Sequence, residues 1–229
     1  MSQVTVNATP THHDLPFRAG DFSTLTEALD YAAQGTTGSS FYTGRGAIYA
    51  NITYSELRIE SIDLAHKLIG LGLNKGDRVA LVAETNPDFI RFFYACQYAG
   101  LIPVALPASV KVGAHCAYVA QLHLLLEASD AAIGVASEGY LPFLEEASEG
   151  LNIRMVNSPD AFYALPVIDQ QLPAIDPEDI SYIQDTSGST RFPRGVVIKH
   201  RTAMANLHGI IAHGPGGVRA GSHGRAGIH

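Results

Sequence analysis

Between Arg78 and Val156 the chain alternates short apolar runs with stretches of helical spacing: "RVALVA", "LIPVALP", "AAIGVA" and "IRMV" are each separated by a segment of helical character. Apolar runs this short, bounded by turn residues, read as strands covered on both faces. Strand, helix and strand in succession imply right-handed parallel crossovers. The expected fold is therefore α/β, a layered arrangement of sheet and helices. The first intervening helix is expected to start at Asn86 and Pro87, a good cap and first-turn pair, and to run to Gly100 while burying Phe89, Phe92, Phe93 and Cys96. Further helices are expected near 117–128 and 140–149.

Upstream, "FYTGRGAIYANITY" reads as two short strands around Gly44 to Gly46. Thr53 and Glu56 then have capping-box spacing, and Leu57, Ile62, Ala65, Leu68 and Ile69 share a face of a helix expected over 54–70. Residues 158–179 hold four prolines and several acids and read as a connector across the surface. Beyond them "ISYIQ" and "GVVIK" are strand-like runs flanking a polar loop, and "RTAMANLHGIIA" has helical spacing. This divides the chain into a polar N-terminal arm (1–17), a folded region (18–211) and a Gly/His/Arg-rich tail (212–229) with too little apolar surface to pack, expected to be disordered.

At 229 residues and 46% hydrophobic content the chain can bury a sizeable core. All 22 acidic residues lie at or before Asp185, whereas the last 44 residues carry six basic residues and no acid. That basic density is too sparse to indicate nucleic acid as a partner. Only Cys96 and Cys116 are present, without CxxC spacing, and the first residues lack the basic start and apolar core of a signal peptide, so a reducing cytoplasm is the expected setting. No apolar run reaches the length of a membrane span. The ten histidines form no HExxH or Cys/His cluster, so no metal ligands are assigned.

The loop itself carries the chemistry. Thr186, Ser187, Gly188, Ser189 and Thr190 offer hydroxyls and a glycine that lets backbone N–H groups converge, while Arg191 and Arg194 bring fixed positive charge. Such a set suits oxyanions, phosphate above all, although Ser/Thr/Gly clusters also make ordinary surface turns. It is not a Walker A loop: no Gly-Lys-Ser/Thr ends it, and it runs from strand to strand.

"DTSGSTRFPRGV", Asp185 to Val196, resembles the signature loop of the ATP-dependent adenylate-forming (AMP-binding) enzymes, which include acyl-CoA synthetases, luciferases, nonribosomal-peptide adenylation domains and fatty acyl-AMP ligases. "ITYSEL", "GLNKGDRVALVAETNPDFIRFFYACQYAGLIPVAL" and "YVAQLHLLLEASDAAIGVA" fall in the order and spacing of that family's N-terminal part, most like the fatty acyl-AMP ligase branch. The resemblance spans roughly residues 18 to 211. It implies the N-terminal part of the family's large domain, and a reaction in which a fatty or other carboxylic acid attacks the α-phosphate of ATP, with Mg²⁺, to give acyl-AMP and pyrophosphate. CoA or an acyl carrier protein would be the later acceptor. Carried over, Thr186, Ser187, Gly188, Ser189, Thr190, Arg191 and Arg194 would hold the β- and γ-phosphates, with Arg194 at the family's usual lysine position.

Two positions depart from the pattern: Asp185 replaces an aromatic residue, and Arg191 replaces the more widespread glycine. The family's adenine-binding motif, metal-associated glutamate, ribose-binding aspartate, hinge and catalytic lysine have no match after His200, so the chain reads as less than half of a family member. No catalytic residue is assigned, and the chain alone is expected to form no acyl-AMP. Two alternatives stand beside the family function: a non-catalytic module that binds nucleotide or pyrophosphate, or that pairs with a partner or with itself through exposed apolar surface, and an inert truncated product.

Overall fold

The computed structural model describes residues 15–108, 114–186, 194–213 and 224–226. Helix α1 (Leu25–Ala32) precedes an antiparallel hairpin of β1 (Gly38–Tyr42) and β2 (Ile48–Thr53). Gly46 closes its turn at φ +81°, and Gly38 lies so close to β2 that a Cβ would meet the Ile52 carbonyl oxygen at 2.2 Å. Helix α2 (Tyr54–Gly70) opens on the expected capping box: the Glu56 N–H donates to Thr53 Oγ1 at 3.1 Å, and the Thr53 N–H donates to the Glu56 carboxylate at 2.8 Å.

The alternating unit follows as β3 (Arg78–Val82), α3 (Pro87–Ala99), β4 (Ile102–Leu106), α4 (His115–Ser129), β5 (Ala131–Val135), α5 (Leu141–Ser148) and β6 (Met155–Asn157). The Phe89 N–H donates to Asn86 Oδ1 at 2.8 Å, capping α3, and Gly100 ends it at φ +66°. With β7 (Ile180–Thr186) and β8 (Arg194–Lys199) these strands form a six-stranded sheet in the order β6-β5-β3-β4-β7-β8, parallel except for β8. Alternation along β3 shows why its run is apolar throughout. Val79 and Leu81 join Leu64 and Leu68 of α2 and Phe92 and Cys96 of α3, whereas Ala80 and Val82 join Leu122 and Leu126 of α4 and Leu144 of α5. The central strand is thus buried on both faces.

Some details differ from the sequence expectation. Strand β6 (Met155–Asn157) begins partway through "IRMV" and ends just past it, on Asn157. The connector contains α6 (Pro159–Tyr163), whose Phe162 is fully buried and meets Phe92 edge-on at 5.6 Å. Helix α7 (His200–His213) ends at His213, and Gly224–Ala226 forms β9, parallel to β1. Strand addition uses backbone groups, so a glycine-rich segment needs no apolar side chains for it. At the other end, the Tyr31 hydroxyl donates to the Pro16 carbonyl at 2.6 Å, tying the end of the polar arm to α1. Both cysteines are free. Among the described residues no helix is long and apolar enough to cross a membrane.

Candidate functional site

Strands β7 and β8 form an antiparallel pair in which Asp185 faces Gly195 and Thr186 faces Arg194. The polar loop therefore leaves and returns at one point, beyond the end of β7. Since β7 runs parallel to β4, that point lies at the carboxyl ends of the parallel strands, where open α/β sheets bind ligands. Of the candidate residues, Thr186 ends β7 and Arg194 begins β8. Ser187, Gly188, Ser189, Thr190 and Arg191 lie outside the described residues. The alternative crevice, between the carboxyl ends of β3 and β5, is filled by Phe89, Phe92 and Val135 and leaves only about 20 Å³, room for one water.

Gly195 has a packing role at the start of β8. A Cβ there would sit 2.7 Å from Cγ2 of Ile183, a β-branched side chain with little rotamer freedom. Gly195→Ala is expected to cost about 1–3 kcal/mol through this overpacking. Urea unfolding checks it, and an unchanged midpoint would contradict it.

The base of the hairpin is pinned by polar contacts that the sequence reading missed. Lys75 Nζ lies 2.6 Å from Asp179 Oδ2 and donates to the Ala174 carbonyl at 2.9 Å. Glu178 bridges Lys199 and Arg201, each at 2.9 Å. The buried His200 donates its backbone N–H to the Asp179 carbonyl at 3.1 Å, and its Nδ1 accepts the Leu25 N–H at 3.2 Å, joining α1 to the β8–α7 junction. That acceptor role fixes the neutral ring with its proton on Nε2. Burial acts to raise the Asp179 carboxyl, but the Asp176 N–H and Lys75 outweigh it and hold the group below the ordinary range.

Burial likewise pushes the His200 imidazole below its ordinary value, with the Lys75 charge acting the same way and Asp179 opposing. The unfolded chain then binds the proton more readily than the folded one. Stability should fall as pH drops through about 6.5, the unfolded histidine value. Urea midpoints at about pH 7.5 and about pH 5.5 check this. His200→Asn, which keeps an acceptor without a titrating ring, should shrink the difference, and an equal difference in both chains would contradict the assignment.

Among the described residues no group of three or more His, Cys, Asp or Glu side chains could hold a metal ion. Beside the hairpin, Val104, Leu125, Ala128, Ile183 and Val197 line an apolar groove of about 200 Å³. Strand β8 is the edge of the sheet, and its Val196 and Val197 are 42% and 51% exposed.

The family model described as AMP-binding enzyme matches residues 29–222, most of the chain, and the chain belongs to that family. It is 41% identical over 211 residues to the "Putative acyl-CoA synthetase" of Caulobacter vibrioides, covering 90% of this chain and 36% of that relative. It is 28% identical over 179 residues to the long-chain-fatty-acid–AMP ligase FadD32 of Mycolicibacterium smegmatis, covering 75% of this chain and 27% of that one. A solved chain from a study of fatty acyl-adenylate ligases from E. coli and L. pneumophila superposes with a TM-score of 0.85 at 43% identity, covering 90% of this chain and 37% of its own length. The expected likeness to the fatty acyl-AMP ligase branch is thereby borne out. The chain spans 36%, 27% and 37% of these three relatives' own lengths.

Proposed function

We propose that the β7–β8 hairpin is the phosphate-holding element of an enzyme activity that joins a fatty or other carboxylic acid to ATP, giving acyl-AMP and pyrophosphate. The observation that supports this reading most is the coincidence of the Asp185 to Val196 motif with a strand pair opening at the carboxyl end of the sheet, in a chain of the AMP-binding family. Thr186, Ser187, Gly188, Ser189 and Thr190 would donate hydroxyl and backbone hydrogen bonds to the β- and γ-phosphates, and Arg191 and Arg194 would offset their charge. The carboxylate of the acid is the nucleophile, and the electron pair of the broken P–O bond leaves with pyrophosphate. The loop's role is to stabilise that departing charge, with no covalent step of its own. Mg²⁺, when bound, would neutralise phosphate charge. CoA or an acyl carrier protein would take the acyl group afterwards, in a cytoplasmic setting.

A chimera tests the reading. Residues 18–211 replace the matching segment of the Caulobacter relative, and acyl-AMP formation from ATP and a fatty acid is measured. The expected result is product from the chimera and none above background from the present chain alone, which spans 36% of that relative. A folded chimera without product would sink the proposal. A second reading, a nucleotide- or partner-binding module, is favoured by the exposed Val196 and Val197 on the open edge of the sheet. Association measured by light scattering addresses it, and a stable monomer counts against it.

A further inference from the structure

The geometry points to Gln97 as the positioning residue that sets the register of the phosphate hairpin, acting through Ser181. Its functional consequence rests on the reading of the loop given above.

The starting observation is a bulge. Ile180 of β7 faces Lys199 of β8, yet Tyr182 faces Ile198, so two steps along β7 match one step along β8 and Ser181 is the extra residue. The side chains agree. Ser181 and Tyr182 are consecutive but both reach α3, at Gln97 and at the Phe93 ring 5.8 Å away, whereas Ile183 turns to the opposite face and lines the groove with Leu125 of α4. A bulge leaves its extra residue out of the ladder and re-aims everything beyond it. Here the positions beyond it include Asp185 and Thr186, paired with Gly195 and Arg194.

A buried residue left out of a ladder needs another partner. Gln97, 1% exposed, supplies it with both ends of its amide: Nε2 donates to the Ser181 carbonyl at 2.8 Å, and Oε1 accepts from the Ser181 hydroxyl at 3.0 Å. Nε2 also donates to the Phe93 carbonyl at 3.4 Å, so the amide orientation is fixed by acceptors on one side and a donor on the other. Ser181 is itself fully buried. Strand β7 has few competing constraints, because its register with β4 covers only Ile183 opposite Val104 and Gln184 opposite Ala105. Without the clamp, closing the bulge would slide β7 by one residue and move each later side chain to the other face.

The test reads the register directly. In a Cys116→Ser background, Ile183→Cys and Gln184→Cys are modified with a thiol reagent; Ile183 is half-buried and Gln184 is exposed. With Gln97 present, position 184 should react at least about tenfold faster than position 183. Adding Gln97→Leu should erase or invert that contrast, and should weaken pyrophosphate binding by about tenfold, the equivalent of one buried hydrogen bond. Leu64→Ala, a core change on α2, serves as a control for general destabilisation and should leave both readouts within about twofold once folded. If Gln97→Leu does not fold, Ser181→Ala removes only the hydroxyl contact and is read in the same way. A folded Gln97→Leu chain with an unchanged thiol contrast overturns the clamp. A wild-type chain that binds no pyrophosphate but loses its contrast on Gln97→Leu overturns the phosphate reading and leaves the clamp standing.

Discussion

Replacing Phe92 by alanine is expected to destabilise the chain by about 3–5 kcal/mol. The side chain is 1% exposed and sits where three elements converge. It meets Phe162 of α6 edge-on at 5.6 Å and Tyr163 at 5.7 Å, and it belongs to the same core as Leu81 of β3 and Val135 of β5. Truncation removes the transfer free energy of a large aromatic group and leaves a cavity between α6 and the sheet that its walls fill only in part. Set against a total stability of about 5–15 kcal/mol, such a loss is a large fraction. It should also loosen α6, which is held through Phe162. Urea unfolding measures the change, and a cost under about 1 kcal/mol would contradict this account of the core.

The second large effect is expected in the loop. In the chimera, Ser189→Ala combined with Arg194→Ala should lower the rate of acyl-AMP formation by about 10²–10³-fold or more, the scale found when a donor to developing negative charge is removed. The reasoning is electrostatic. Charge accumulates on pyrophosphate as the bond to the α-phosphate breaks, and donors already held in place need no reorganisation at that moment. The effect should fall mainly on kcat, since the contacts strengthen as the charge develops. Equal rates in both chains, measured by acyl-AMP release, would remove the loop from the chemistry.

What the sequence disclosed follows from which interactions are local. Thr53 with Glu56, and Asn86 with Pro87, announce their helices because a cap and its partner lie within one turn. Helix α4 has no side-chain cap bond, and its start at His115 precedes the expected 117. Helix α6 escaped because five residues among prolines cannot display a period; only its packing through Phe162 identifies it. The Asp185 to Val196 motif, proposed above to hold phosphate, was legible because its residues are contiguous. The clamp beneath it was not, since Gln97 and Ser181 are 84 positions apart and no periodicity relates them. One signal was present: Gln97 is the lone amide in the apolar run "FFYACQYAG", and a polar residue on a buried face requires a partner. The role of Gly195 was equally hidden, because it is set by Ile183 on the neighbouring strand.

The most direct measurement is a calorimetric titration of this chain with pyrophosphate and Mg²⁺, run beside the Ser189→Ala/Arg194→Ala variant. Saturable binding to the wild-type chain that disappears in the folded variant is the expected result, and it would establish the β7–β8 hairpin as a working phosphate cradle. Absence of binding to the folded wild-type chain, or equal binding to both, would contradict that claim.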